Sequence, residues 1–239
     1  MNKDQIKKNK LNCSFRDNED LVVLDYLDTL DSNRVYSFLE VGSGECRFVK
    51  KIQSKYKNIE ITCIEVNPQL AKIAKDLGCS VINENLLNVC LSQKFDIVHC
   101  SHVIEHFGYP DISKVLDFLV ESFKTDGRLI IRSPLLCDVF YTNLDHIKPY
   151  PPEAIYSYFH NNQQQKKGNV DIIFEKIWYR TYAKKVNPIL ENTPFGVISV
   201  FGKPINCLIH YCNIFYEKMW KRYRWPATKP DAYVVIIRK

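Results

Sequence analysis

Two stretches of the chain concentrate side chains able to move a proton. "HCSHVIEHFGYP" (99–110) holds His99, His102, Glu105 and His106, and "YTNLDHIKPYPPE" (141–153) holds Asp145 and His146. Imidazole is the side chain that changes charge near neutral pH, so a histidine set against a hydroxyl can take its proton as that oxygen attacks. Four of the six histidines fall in these stretches, which makes them the place to look for a base. His146, in "DHIKPY", is the first candidate; its other reading is a loop histidine bonded to backbone. His106 is the second, and its other reading is a residue that only shapes its loop. His99 lies inside the apolar run 95–100 and reads as packed core.

A different chemistry is written in "FLEVGSGECRF" (38–48). Glycine is scarce, eight in 239 residues, yet Gly42 and Gly44 stand two apart behind an apolar run. A glycine turn at the end of a strand lets the backbone approach a ligand closely, or simply turns tightly. Glu65, at the end of "ITCIEVNP", follows roughly 20 residues on, the spacing at which an acid can accept the hydroxyls of a ribose. A nucleoside site is the reading that joins them. The dinucleotide pattern G-x-G-x-x-G is spoiled, because its third position is Arg47. Glu40, just ahead of the turn, would repel a pyrophosphate and suits a cationic ligand instead.

These residues need a sheet to hold them. Apolar runs at 35–41, 59–66, 80–83, 95–100 and 129–132 read as strands, with "DGR" (126–128) as a turn. Helices are expected at 47–56, where Phe48, Val49, Ile52 and Tyr56 recur at helical spacing, and at 111–124, where Ile112, Val115, Leu116, Leu119 and Phe123 share a face. Between them, Asn67-Pro68 opens a helix that Gly78 stops, since asparagine caps well and proline is tolerated in a first turn. The βαβαβ order implies a parallel sheet covered by helices on both faces. Later come a helix at 152–164, a strand at 170–182 and a last strand at 232–238.

Composition adds bounds. Hydrophobic residues make up 46% and charged residues 25%, ample for a core, and the net charge of +6 fits an anionic partner. The nine cysteines form no CxxC pair, so zinc-ribbon chemistry is excluded and free thiols in a reducing cytoplasm are expected. Cys63, Cys79, Cys100 and Cys207 have apolar neighbours and read as buried. The basic start "MNKDQIKKNK" is not followed by an apolar segment, so no signal peptide is expected. Residues 195–216 are long enough to cross a bilayer, but Gly202, Pro204, Asn206, His210 and Asn213 interrupt them. A packed helix or contact with a membrane surface is expected, not a span.

The successive motifs "LEVGSGECRF", "IEVNP", "KFDIVHCSHVIEHF" and "DGRLIIRSP" resemble those of class I S-adenosylmethionine-dependent methyltransferases, over about residues 35–155. The resemblance implies an α/β, Rossmann-like, doubly wound sheet of seven strands, mainly parallel with an antiparallel last strand. It implies one domain over 1–239, with an N-terminal segment at 1–20 and an insertion at 187–230 that shapes the acceptor site. S-adenosyl-L-methionine would be the cofactor, with Glu40, Gly42 and Gly44 at its methionine end and Glu65 on its ribose. Asn67 and Asn85 would lie near the adenine, with Leu86 flanking the ring and Ser101 facing the methionine end. Two positions depart from the pattern: Cys46 stands where a third glycine usually lies, and Asn85 replaces an acid.

The "DHIKPY" element is similar to "HIRPY" in methyltransferases of glycan and natural-product pathways. This implies O-methylation of a saccharide or related small metabolite, with His146 and His106 at the acceptor. An RNA 2′-O-methyltransferase is the second reading, favoured by the basic-aromatic "EKMWKRYRWP" with Lys218, Lys221, Arg222 and Arg224. A non-catalytic S-adenosylmethionine-binding module is the third. Some small-RNA and ubiquinone-pathway methyltransferases bind a divalent metal through E-x-x-E-H. Here the matching residues are His102, Glu105 and His106, with His146 as a fourth; the first acid is missing, and no metal is expected.

Overall fold

The computed structural model describes residues 19–137, 140–160, 168, 170–181, 207–209, 211–212, 215 and 230–239. The chain divides into two compact units. One is Met1–Arg180 with Asp231–Lys239; the other is Thr181–Pro230. The expected insertion at 187–230, with its aromatic and basic residues, lies almost wholly outside the described residues, as does the polar loop 161–169.

In the first unit, α1 (Glu19–Leu27) leads into β1 (Tyr36–Val41), α2 (Arg47–Lys55), β2 (Ile59–Ile64), α3 (Pro68–Asp76) and β3 (Ser80–Ile82). Then follow β4 (Phe95–Ser101), α4 (Asp111–Ser122), β5 (Phe123–Pro134), α5 (Pro152–His160), β6 (Ile173–Thr181) and β7 (Pro230–Arg238). One seven-stranded sheet runs in the order β3-β2-β1-β4-β5-β7-β6. The pairs β2–β3, β1–β2, β1–β4 and β4–β5 are parallel, and β7 joins β5 antiparallel. The expected architecture holds, including the reversed last strand.

Alternation along the strands explains the two helical layers. Leu39, Val41, Leu129, Ile131, Tyr233, Val235 and Ile237 pack with Ile112, Val115, Leu116 and Leu119 of α4. Their neighbours Phe38, Ile130, Val234 and Ile236 pack on the other face with Val22, Val23 and Leu27 of α1 and Val49 and Ile52 of α2. Burying each such side chain contributes about 2 kcal/mol. The order reverses between β1 and β4, which opens a crevice beyond their carboxyl ends, where doubly wound sheets hold ligands.

Local chemistry sets the ends. Asn67 Oδ1 accepts the Gln69 N–H at 2.9 Å, which caps α3, and Gly78 at φ +81° lies just beyond its end. At the opposite end of the sheet, Asp96 accepts from Ser37 N, Ser37 Oγ, Arg34 and Lys124 at 2.6–2.9 Å. Burial raises this carboxyl, but the bonds from Ser37 and Lys124 outweigh it and hold its pKa down to about 2. The expected turn at "DGR" is corrected: residues 123–134 form one strand, with a register irregularity between Phe95 and Ile97 of its partner. Gly127 permits this, because a Cβ there would stand 2.7 Å from the Asp96 carbonyl oxygen. Helix α5 is described over Pro152–His160, and the remainder of the expected helix, 161–164, lies outside the described residues. Among the described residues, no helix is long and apolar enough to cross a membrane. The described cysteines are free thiols; Cys46, Cys63, Cys79 and Cys100 are buried, whereas Cys207 is exposed, contrary to expectation.

Candidate active site

The loop from β1 to α2 is built by left-handed backbone. Gly42 has φ +75° and Gly44 φ +49°, and Cys46 takes φ +57° without being glycine. That conformation costs an L-residue about 1–2 kcal/mol, which is why a glycine is the easier occupant at position 46. Cys46 offsets the strain by burying its thiol fully. A Cβ on Gly42 would meet Val103 Cγ2 at 2.4 Å, so the loops after β1 and β4 are in contact there.

Glu65 holds this loop from the neighbouring strand. Its Oε2 accepts the Gly44 N–H at 2.8 Å and its Oε1 the Asn67 N–H at 3.0 Å. Each oxygen keeps a second lone pair, so the acid both fixes the loop and retains acceptor capacity toward the cavity it lines. That cavity, ≈ 460 Å³, is lined by Gly42, Gly44, Glu65, Leu70, Glu84, Asn85, Leu86, His102, Val103, His106 and Asp145, among others. A second, ≈ 260 Å³, is lined by Glu40, Gly42, Ser43, Glu45, Arg47, Phe48 and Ser101. Glu40 and Ser101 thus share one cavity, Glu65, Asn85 and Leu86 share the other, and Gly42 borders both.

Two expected ligands have prior engagements. Asn67 is exposed and its oxygen caps α3, and it lines neither cavity. Asn85 Oδ1 accepts the Leu87 N–H at 3.0 Å, leaving one lone pair on that oxygen. Glu84, one residue earlier, lines the same cavity as Asn85, and its Oε1 accepts the Asn85 N–H at 2.7 Å. His99 is buried as expected, but it is bonded rather than merely packed: Nδ1 lies 2.8 Å from Glu40 Oε2.

Past β4 the histidines separate by role. His102 adopts φ +55° and places Nε2 3.2 Å from Glu19 Oε2 and Nδ1 3.4 Å from Glu105 Oε1. Burial lowers its pKa, but bonds to Glu105 and Glu19 outweigh this and push it up to about 9. It is a cation held between two acids, not a free base. Glu19 also meets Arg132 at 3.1 Å and Arg180 at 3.0 Å. Burial raises Glu19, yet His102 and the two arginines hold it down at about 2. Helix α1, which sequence patterning alone did not show, is tied to the site by this cluster.

His106 and His146 face each other, ring centroids 5.1 Å apart. His106 Nδ1 lies 2.9 Å from the Asp145 carbonyl and His146 Nδ1 2.8 Å from the Phe140 carbonyl. A carbonyl only accepts, so each Nδ1 carries a proton, and in the neutral ring the lone pair is on Nε2. Glu105, His106 and His146 offer ligand atoms within 4.8 Å of one another. Around a tetrahedral ion with bonds of about 2.0–2.2 Å, ligands stand about 3.3–3.6 Å apart, so this set would have to contract to hold one. Beyond these histidines lies a cavity of ≈ 740 Å³, whose lining includes Tyr109, Ile112, Leu116, Ile147, Tyr150 and Ile155, with Lys148.

A glycine loop after β1, an acid after β2, and a seven-stranded sheet whose last strand in sequence runs antiparallel to β5 are features of the class I S-adenosylmethionine-dependent methyltransferase fold. Residues 39–129 match the family model described as a methyltransferase domain. The chain is 31% identical over 115 residues to a malonyl-[acyl-carrier protein] O-methyltransferase of Acetivibrio thermocellus, covering 45% of this chain and 38% of that one. It is 26% identical over 132 residues to malonyl-[acyl-carrier protein] O-methyltransferase 2 of Ilyobacter polytropus, covering 53% and 50%. The matches therefore span half or less of those curated relatives. Among solved structures, a SAM dependent methyltransferase from Archaeoglobus fulgidus superposes with TM-score 0.57 at 20% identity, covering 92% of each chain.

Proposed function

We propose that this protein transfers the methyl group of S-adenosylmethionine to an oxygen of a small acceptor, a saccharide or related metabolite. The observation that carries the reading is the placement of two carboxylates at the ends of neighbouring strands, Glu40 and Glu65, on cavities that share Gly42. Glu40 suits the ammonium of the methionine end, and Glu65 the ribose hydroxyls. Asn85 and Leu86 border the adenine region, and Ser101 the methionine end. When bound, S-adenosylmethionine supplies an electrophilic methyl carbon. The chain's own part is to align the acceptor and remove its proton, and His146 Nε2, with His106 Nε2 beside it, is the base. Both curated relatives are O-methyltransferases by name, which supports an oxygen nucleophile.

A second reading has an acyl carboxylate as acceptor. The relatives' names and the apolar cavity beyond the histidines favour it. A carboxylate arrives without a proton, so it needs no base, and the two readings part on His146. Calorimetry with S-adenosylmethionine against NAD tests the shared core. Binding of the first and not the second is expected; binding of NAD alone would overturn the proposal.

A further inference from the structure

Glu40 and His99 occupy directly paired positions of β1 and β4, so both side chains leave the same face of the sheet. The His99 ring is fully buried, against Phe48 at 4.8 Å and Phe38 at 6.0 Å between centroids. Its Nδ1 lies 2.8 Å from Glu40 Oε2, and its Nε2 has no partner among the described residues. A proton on Nε2 would be an unsatisfied donor among aromatic rings, so the proton belongs on Nδ1, which donates to Glu40. Glu40 Oε1 has no bond to any described residue, and Glu40 lines the cavity it shares with Ser101 and Phe48.

On the reading that this cavity takes the methionine end of S-adenosylmethionine, we infer that His99 is a positioning residue that selects ligands carrying the amino-acid end. Donation to Oε2 anchors one oxygen of Glu40 in the sheet and leaves the other for an incoming ammonium. Without that bond the carboxylate is free to rotate, or to turn toward Arg47, which lines the same cavity. The adenosine half of the ligand does not sense this bond, because Glu65, Asn85 and Leu86 line the other cavity.

Calorimetry with S-adenosylmethionine and with 5′-methylthioadenosine, which lacks the amino-acid end, tests this on wild type, His99→Leu and His99→Asn. His99→Leu is expected to weaken S-adenosylmethionine roughly tenfold and methylthioadenosine less than about twofold. His99→Asn places a carboxamide N–H where Nδ1–H stands and restores most of the loss. Equal losses for both ligands, or none, would overturn the inference. A wild-type protein that binds methylthioadenosine but not S-adenosylmethionine would do the same while leaving the adenosine cavity intact. Binding of neither ligand by wild type would remove the proposed function and this inference with it. Should the leucine variant not fold, ¹⁵N-histidine NMR on wild type decides. The His99 Nδ1–H signal should move with S-adenosylmethionine and stay with methylthioadenosine; a signal unmoved by either sinks the idea.

Discussion

Glu65 accepts the backbone N–H of Gly44 at 2.8 Å, so the acid at the end of β2 is fastened to the loop that leaves β1. One carboxylate therefore shapes the glycine loop and, in the proposed site, meets the ribose. Glu65→Ala is expected to lose both: about 1–3 kcal/mol of affinity for S-adenosylmethionine, and about 1 kcal/mol of stability from two unpaired N–H groups that water can reach. Calorimetry and urea unfolding on the same preparations separate the two losses. A variant that binds as wild type would remove Glu65 from the site.

The two loop glycines are not equivalent. Gly44 at φ +49° has open space where a Cβ would stand, whereas a Cβ on Gly42 at φ +75° would face Val103 Cγ2 at 2.4 Å. Gly44→Ala should cost about 1 kcal/mol, from backbone strain alone. Gly42→Ala should cost about 3 kcal/mol, because overpacking adds to the strain. Adding Val103→Ala to Gly42→Ala should recover part of the difference. Urea unfolding of the three variants checks the order, and equal costs at the two glycines would contradict it.

Sheet and helices were legible because continuous apolar runs and period-3.6 patterns survive in the sequence, as at 35–41 and 112–119. What was lost was lost for physical reasons. Helix α1 carries apolar residues on several sides, with Leu21 exposed at 46% while Val22 and Val23 are buried, so its stretch offers no clean stripe. The irregular start of β5 depends on Gly127 meeting a carbonyl of another strand. The site residues were found by type and spacing, but their partners were not. Glu40 meets His99, 59 residues on, and Glu19 meets His102, 83 residues on. Register between non-consecutive strands sets the first pairing and the docking of α1 the second, and neither is written locally.

The Glu19 cluster makes stability depend on pH at both ends. Glu19 is held at about 2 against an ordinary 4.5, so its contribution is whole above about 4.5 and is lost as pH falls through about 2. His102 is raised to about 9 from 6.5, so its contribution is whole below about 6.5 and is lost as pH rises through about 9. His102 is 40% exposed, and solvent screening reduces the alkaline loss to about 1–2 kcal/mol. Glu19→Gln should cost about 1–3 kcal/mol near neutrality, because Arg132 loses its carboxylate at 3.1 Å and keeps Asp20 at 2.8 Å. Unfolding midpoints from pH 3 to 10 should fall at both ends in wild type. In His102→Asn the alkaline fall should disappear; its persistence would place the titration elsewhere.

The acceptor chemistry turns on one nitrogen. His146 Nδ1 donates to the Phe140 carbonyl at 2.8 Å, so the bond that orders the loop and the lone pair that would take a proton belong to different atoms. His146→Asn separates them. The carboxamide N–H can replace Nδ1–H toward Phe140, whereas nothing replaces Nε2. For a hydroxyl acceptor, release of S-adenosylhomocysteine should fall about 10²–10⁴-fold while affinity for S-adenosylmethionine holds. For a carboxylate acceptor the same variant should turn over within a few fold of wild type. On the proposed reading, in which the base is an imidazole rather than a metal-bound water, dialysis of wild type against a chelator should leave the rate unchanged. A rate lost to the chelator and regained with zinc or cobalt would instead assign Glu105, His106 and His146 to an ion, since they are the described residues whose ligand atoms lie within 4.8 Å of one another.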